Sequence, residues 1–103
     1  PYPPPMRGIF NVLVHGLGTP WPGVAGLGTR PTVNGIETLL ETYLIDFEGN
    51  LYGRHVDVEL LAFQRPEQHF DGLEALTRQI AADVAAARSW FEDHGHLTAS
   101  NAG

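Results

Sequence analysis

Apolar and polar positions alternate in "IFNVLVHG", with Phe10, Val12 and Val14 on one side and Gly16 closing the run. Side chains along a strand point alternately to its two faces, so residues 9–15 read as a strand. "LGTPWPG" reads as a loop, and "VAGLGTRPT" as a short strand whose small residues permit close backbone approach. "RPTVNG" predicts a further loop, because proline and Asn-Gly both interrupt regular structure. From Glu37 to Phe47 the pattern is apolar on both faces. Leu39, Glu41, Tyr43, Ile45 and Phe47 share one side, while Leu40 and Leu44 share the other. "EGN" then predicts a hairpin with Gly49 and Asn50 at positive φ. A return strand from about Tyr52 to Phe63 follows, with Val56, Val58, Leu60 and Ala62 opposite His55, Asp57 and Glu59.

The period changes after "QRPEQHF". In "DGLEALTRQIAADVAAARSWFEDHG" the apolar residues Leu73, Leu76, Ile80, Val84, Ala87 and Phe91 keep the 3–4 spacing of one helical stripe. Asp71 with Glu74 has the spacing of a capping box, and Gly95 suits the position just past the helix end. Strands followed by one long helix predict a small antiparallel sheet or barrel with the helix laid against it. "PYPPPMRG" reads as an extended lead-in, and residues 96–103 as a loose tail behind a domain covering 1–95.

Composition narrows the chemistry. The 103 residues suit one domain, and 43% hydrophobic with 10% aromatic content is enough for a packed core. Twelve acidic against six basic residues give a net charge of −6, the wrong sign for a protein that tracks nucleic-acid phosphates. All the bases are arginines, which excludes a Schiff-base lysine and a phosphate-loop lysine within this stretch. The absence of cysteine removes disulfides, thiolate metal sites and a Cys nucleophile. With no membrane-length apolar run and no signal-like start, a cytoplasmic protein without membrane partners is expected.

Most candidate chemistry has a plain structural reading. His94 and His96 sit at a helix end and read as terminal cations favoured by the dipole rather than as metal ligands. His15, His55 and His69 read as surface residues, and Ser89 and Ser100 lack a nucleophile elbow. "GVAGLG" is not followed by a helix, so the dinucleotide mechanism fails and a strand fits better. Glu41 is different. A carboxylate in a row of large hydrophobes is costly unless it is paired, bound or protonated. It is either a satisfied structural group or a base whose proton affinity desolvation would raise.

Three segments, "GVAGLGTRPTVNG", "LETYLIDFEGNLYGR" and "RPEQHFDGLEALTRQIAADVAAAR", lie in order between about Gly8 and Arg88. Together they resemble the riboflavin kinase domain, in the form that follows an adenylyltransferase domain in bacterial bifunctional flavin synthetases. The resemblance implies an antiparallel six-stranded Greek-key barrel with a C-terminal helix. It also implies transfer of the γ-phosphoryl of ATP, with Mg²⁺ or a similar ion, to the ribityl 5′-hydroxyl of riboflavin, giving FMN. Glu41 falls at the family's proposed base. Arg65, Gln68, Phe70 and Leu73 fall where the family closes over the flavin, and Leu44, Asp46 and Tyr52 where it contacts the nucleotide.

The family's metal and phosphate motif, Gly-Phe-Pro-Thr-Ala-Asn, has no counterpart in these 103 residues. Pro31 and Thr32 instead fall on a second Pro-Thr that follows "GVANIGTR"-like sequence in the family. The expectation is therefore a mainly β barrel lacking its first strand, with no metal ligand assigned in the chain. Little activity is expected in isolation, and an N-terminal adenylyltransferase domain is expected in the parent protein. A non-catalytic flavin-binding barrel and a structural remnant with Glu41 ion-paired in the core are the alternatives.

Overall fold

The structure, a computed structural model, describes residues 7–95; the lead-in 1–6, His96 and the tail 96–103 lie outside the described residues. Four strands and a helix follow in order: β1 (Gly8–His15), β2 (Trp21–Thr32), β3 (Gly35–Leu44), β4 (Asp57–Arg65) and α1 (Leu73–Asp93). The strands form one open antiparallel sheet in the order β3-β2-β1-β4. Three consecutive hairpin-linked strands, with a fourth returning beside the first, make a Greek key. The expected antiparallel, mainly β class with one C-terminal helix is what the chain adopts.

The connection between β3 and β4 departs from expectation. Instead of pairing through a tight hairpin at "EGN", these strands occupy opposite edges of the sheet, joined by a crossover over residues 45–56. The crossover is tied down along its length. Ile45 N–H donates to the Pro22 carbonyl at 3.0 Å, and Trp21 Nε1 donates to the Ile45 carbonyl at 2.7 Å. Arg54 Nη2 donates to the Gly16 carbonyl at 2.9 Å. Asp46, at φ 55°, accepts from both Nη atoms of Arg88 at 2.6 and 3.0 Å. A run that is apolar on both faces is thus cut at Ile45, whose side chain turns into the helix-side core.

The β2–β3 hairpin is longer than the sequence suggests. Both the expected "WPG" loop and most of "RPTVNG" are strand, because β2 pairs with β3 continuously from Gly23 opposite Leu44 to Thr32 opposite Gly35. Only Val33 and Asn34 remain as the turn. Beyond Leu27, β2 has no β1 partner. Pro31 therefore sits where a missing N–H disturbs only one ladder.

The sheet has a core on each face. Phe10, Val12, Val14 and Ala25 cluster on one side with Leu44, Val58 and Leu60; Leu13, Val24, Ile45, Ala87 and Phe91 cluster on the other, under α1. The clean alternation expected in β4 fails, because register shifts against β1 between Ile9 and Phe10 and between Asn11 and Val12 insert extra residues. A bulge moves every later side chain to the other face. Phe63, which strict alternation would place on the face opposite Leu60, accordingly packs on Phe10 of Leu60's own cluster, with ring centroids 5.5 Å apart.

Helix α1 begins later than the capping box predicts. Gly72 is the N-cap, with no side-chain cap bond, and Asp71 lies outside the helix, 3.6 Å from His69. The first helical bond runs from Leu76 N–H to the Gly72 carbonyl at 3.1 Å. Glu74 in the first turn complements the dipole, and the alanine-rich middle favours helix. At the far end, Gly95 takes the expected position at φ 83°. His94 stacks on Trp90 at 3.9 Å between ring centroids. Among the described residues no helix is long and apolar enough to cross a membrane.

Candidate functional site

The two halves of α1 meet the sheet differently. Ala87 and Phe91 are buried on it, whereas Leu76 and Ile80 stay partly exposed. Between that first half and the sheet lies a cleft of about 790 Å³. Its floor comes from β1 and β2, where Ile9 and Val24 are followed by Gly26 and Gly28. Glycine at the last two positions leaves hollow the sheet surface that side chains would otherwise fill.

The pairing register explains one wall. Gly26 lies opposite Glu41 and Gly28 opposite Leu39, so Leu39, Glu41 and Tyr43 of edge strand β3 share the cleft face. The other wall is the segment after β4, with Glu67, Gln68 and Phe70. At Gly28 an added Cβ would collide with the Glu67 carboxylate, so this segment reaches across to β2.

Glu41 shares its face with Leu39 and Tyr43 as the alternation requires, but it is not buried. It is exposed on the cleft rim, and no described residue forms a hydrogen bond or ion pair with its carboxylate. The supposed interior row is an edge-strand face: Tyr43 is itself half exposed, and Ile45 and Phe47 lie past the strand end. A desolvated, core-paired Glu41 is therefore corrected to an unengaged carboxylate beside a cavity.

Arg65 borders the same cleft with its charge already matched. Nε and Nη2 donate to the two carboxylate oxygens of Asp83 at 2.8 and 2.7 Å, and Nη1 donates to the Pro66 carbonyl at 2.9 Å. Hydrogen bonding to Asp83 raises the guanidinium's already high pKa against the opposing effect of burial, so its charge is permanent. Gln79 Nε2 also donates to Asp83, at 2.9 Å. Sequence reasoning missed Asp83. The signal was present: an aspartate beside Val84 in the middle of the apolar stripe needs a cation.

The remaining candidates fall in three other places. Leu73, 79% exposed, opens α1 and does not line the cleft. Leu44 points to the opposite face of the sheet, into the cluster with Val12. Asp46 and Tyr52 belong to the crossover. Asp46 is held below the usual carboxylate range by hydrogen bonds from Arg88, and Tyr52 is 94% exposed. The cleft thus unites Glu41, Arg65, Gln68 and Phe70, while Leu44 ends β3 and Asp46 and Tyr52 lie on the crossover.

A family model for riboflavin kinase matches residues 2–91. The chain belongs to the riboflavin kinase family. It is 50% identical over 88 residues to the bifunctional riboflavin kinase/FMN adenylyltransferase of Escherichia coli K12, covering 84% of this chain and 28% of that protein. It is 46% identical over 93 residues to the protein of the same description from Pseudomonas fluorescens, covering 89% of this chain and 30% of that one. The chain therefore spans less than a third of the length of these curated relatives. A crystal structure described as a macrolide-efflux protein from Streptococcus pneumoniae superposes with a TM-score of 0.77 at 30% identity, over 84% of this chain and 28% of that one. Within the riboflavin kinase family, the open four-stranded sheet with its helix is consistent with a fragment of the barrel.

Proposed function

We propose that the protein to which this chain belongs phosphorylates riboflavin to FMN at the expense of ATP, with the flavin in the glycine-floored cleft and Glu41 as the base. One observation carries the reading. Residues distant in sequence, Glu41 on β3 and Gln68 and Phe70 after β4, line a single cleft with an apolar floor suited to a planar ring. The Glu41 carboxylate accepts the proton of the ribityl 5′-hydroxyl as the hydroxyl oxygen bonds to the γ-phosphorus. The bond from that phosphorus to the bridging oxygen breaks, leaving ADP. Because Glu41 is exposed on the rim, the two substrates themselves must exclude water from it.

Gln68 and Phe70 form the flavin side, with Arg65 behind them and Leu73 outside the cleft at the start of α1. Leu44, Asp46 and Tyr52 form the nucleotide side. Leu44 faces away from Glu41, whereas Asp46 is held to α1 by Arg88. A divalent ion, which the family's chemistry implies, neutralises phosphate charge when bound. Among the described residues no group of three or more His, Asp or Glu is placed to hold one, and no step here runs through it.

On this reading the phosphate and metal groups lie outside these 103 residues, which alone are expected to turn over slowly. An adenylyltransferase domain, as the bifunctional relatives' names describe, is proposed for the parent protein, acting in the cytoplasm. FMN formation from riboflavin and ATP, compared between the parent protein and the 103-residue chain, tests this. FMN from the parent only is expected, and no FMN from either contradicts the assignment. Equal turnover by both would show that the phosphate groups lie within this stretch.

A further inference from the structure

Asp83 is the most heavily bonded group at the cleft, and the proposed reaction does not use it. It is 6% exposed and faces the cleft from the middle of α1. Its carboxylate takes the Arg65 fork and the Gln79 amide, while its main-chain carbonyl accepts from Gln64 Nε2 at 3.2 Å. That same Gln64 amide donates to Asn11 Oδ1 at 2.9 Å, tying the cluster to the central strand β1.

Arg65 has the further contact that gives this cluster a purpose. Its Nη1 holds the carbonyl of Pro66, the first residue of the segment that carries Glu67, Gln68 and Phe70 across the cleft. A guanidinium is planar, so two bonds to one carboxylate fix its plane and direct the remaining N–H groups. Rotating Arg65 toward a ligand would strand a nearly buried carboxylate, a costly exchange. The segment's reach is correspondingly fixed, with the Glu67 carboxylate lying where a side chain on Gly28 would collide with it.

We infer that Arg65 and Asp83 form a latch that sets the height of the 66–70 segment above the glycine floor. Both are positioning residues for flavin binding and do not touch the flavin. The inference rests on the flavin reading of the cleft.

The test uses the full-length protein and two variants. Arg65→Met with Asp83→Leu removes both charges together, so no buried charge is left alone. Arg65→Lys keeps the charge but loses the fork. In the unliganded protein, amide exchange over residues 66–72 should quicken about tenfold or more in the double variant, with residues 84–91 of α1 unchanged. Riboflavin KM should rise about tenfold while kcat changes less than about twofold, and Arg65→Lys should fall between. Parental exchange over 66–72 overturns the latch, including the case in which KM still rises because Arg65 touches the flavin directly. A fall in kcat with unchanged KM also overturns it, since that is the mark of a purely structural pair. If the parental protein binds no riboflavin, the flavin reading fails, and the exchange measurement still decides the latch.

Discussion

Removing Asp83 alone should be among the most damaging polar substitutions in this chain. In Asp83→Ala the Arg65 guanidinium loses two charge-assisted bonds and Gln79 loses its acceptor. The paired side chains are only 20% and 8% exposed, so water replaces little of what is lost. Stripping one partner from a buried pair costs roughly 3–5 kcal/mol. Arg65 keeps some solvent and its bond to Pro66, which argues for the lower end, about 3 kcal/mol. With urea m-values of about 1–3 kcal/mol/M, the unfolding midpoint should fall by about 1–3 M. Trp21 and Trp90, the chain's two tryptophans, give the fluorescence readout.

Arg78 and Glu74 supply the internal control, a pair one helical turn apart with side chains 70% and 87% exposed. Glu74→Ala should cost less than about 0.5 kcal/mol. Burial does not set the cost of losing Asp83 if Asp83→Ala and Glu74→Ala lie within about 1 kcal/mol of each other. Nor does an uncompensated charge set it if the Arg65→Met/Asp83→Leu pair is as unstable as Asp83→Ala.

Two further predictions address the cleft and the crossover. Gly28→Val fills the floor, and its Cβ meets the flexible end of Glu67 at a position with ordinary φ. Thermal stability should stay within about 1 kcal/mol of the parent, while flavin affinity, followed by flavin fluorescence, falls roughly 5–150-fold, as overpacking by about 1–3 kcal/mol implies. Unchanged affinity would place the ring elsewhere. The Arg88 bonds hold Asp46 ionised to lower pH than an unfolded chain would. Its stabilising contribution is therefore full above about pH 4 and lost as pH falls through the lowered value. The stability gap between parent and Asp46→Asn should close in acid unfolding measurements, and a gap that widens on acidification would contradict the pairing.

Local patterns carried much of this fold, and the failures share one cause. Phe10, Val12 and Val14 announce β1, and the stripe from Leu73 to Phe91 announces α1, because each signal lies within a few consecutive residues. Which strands pair is non-local. Nothing within residues 37–63 says that β3 and β4 take opposite edges, since that depends on Trp21, Gly16 and Arg88 holding the crossover. The β4 bulges depend likewise on its register against β1.

Glu41 illustrates the same limit at the site. Alternation put it correctly beside Leu39 and Tyr43, but only the sheet order reveals that their strand is an edge and their face a rim. Period alone also treats the α1 stripe as uniform core. The divergence of its first half from the glycine floor, which opens the cleft at Leu76 and Ile80, is visible only in three dimensions.

The base assignment is tested most directly by measuring kcat and thermal stability together on Glu41→Gln in the full-length protein. The amide nearly preserves shape but cannot take the ribityl proton. Since Glu41 is exposed and no described residue pairs with it, no buried partner is stranded, and the melting temperature should barely move. The account predicts a kcat lower by about 10²–10⁴-fold with riboflavin affinity close to parental. A Glu41→Gln enzyme with near-parental kcat, or one whose activity falls only as far as its folded fraction does, contradicts it.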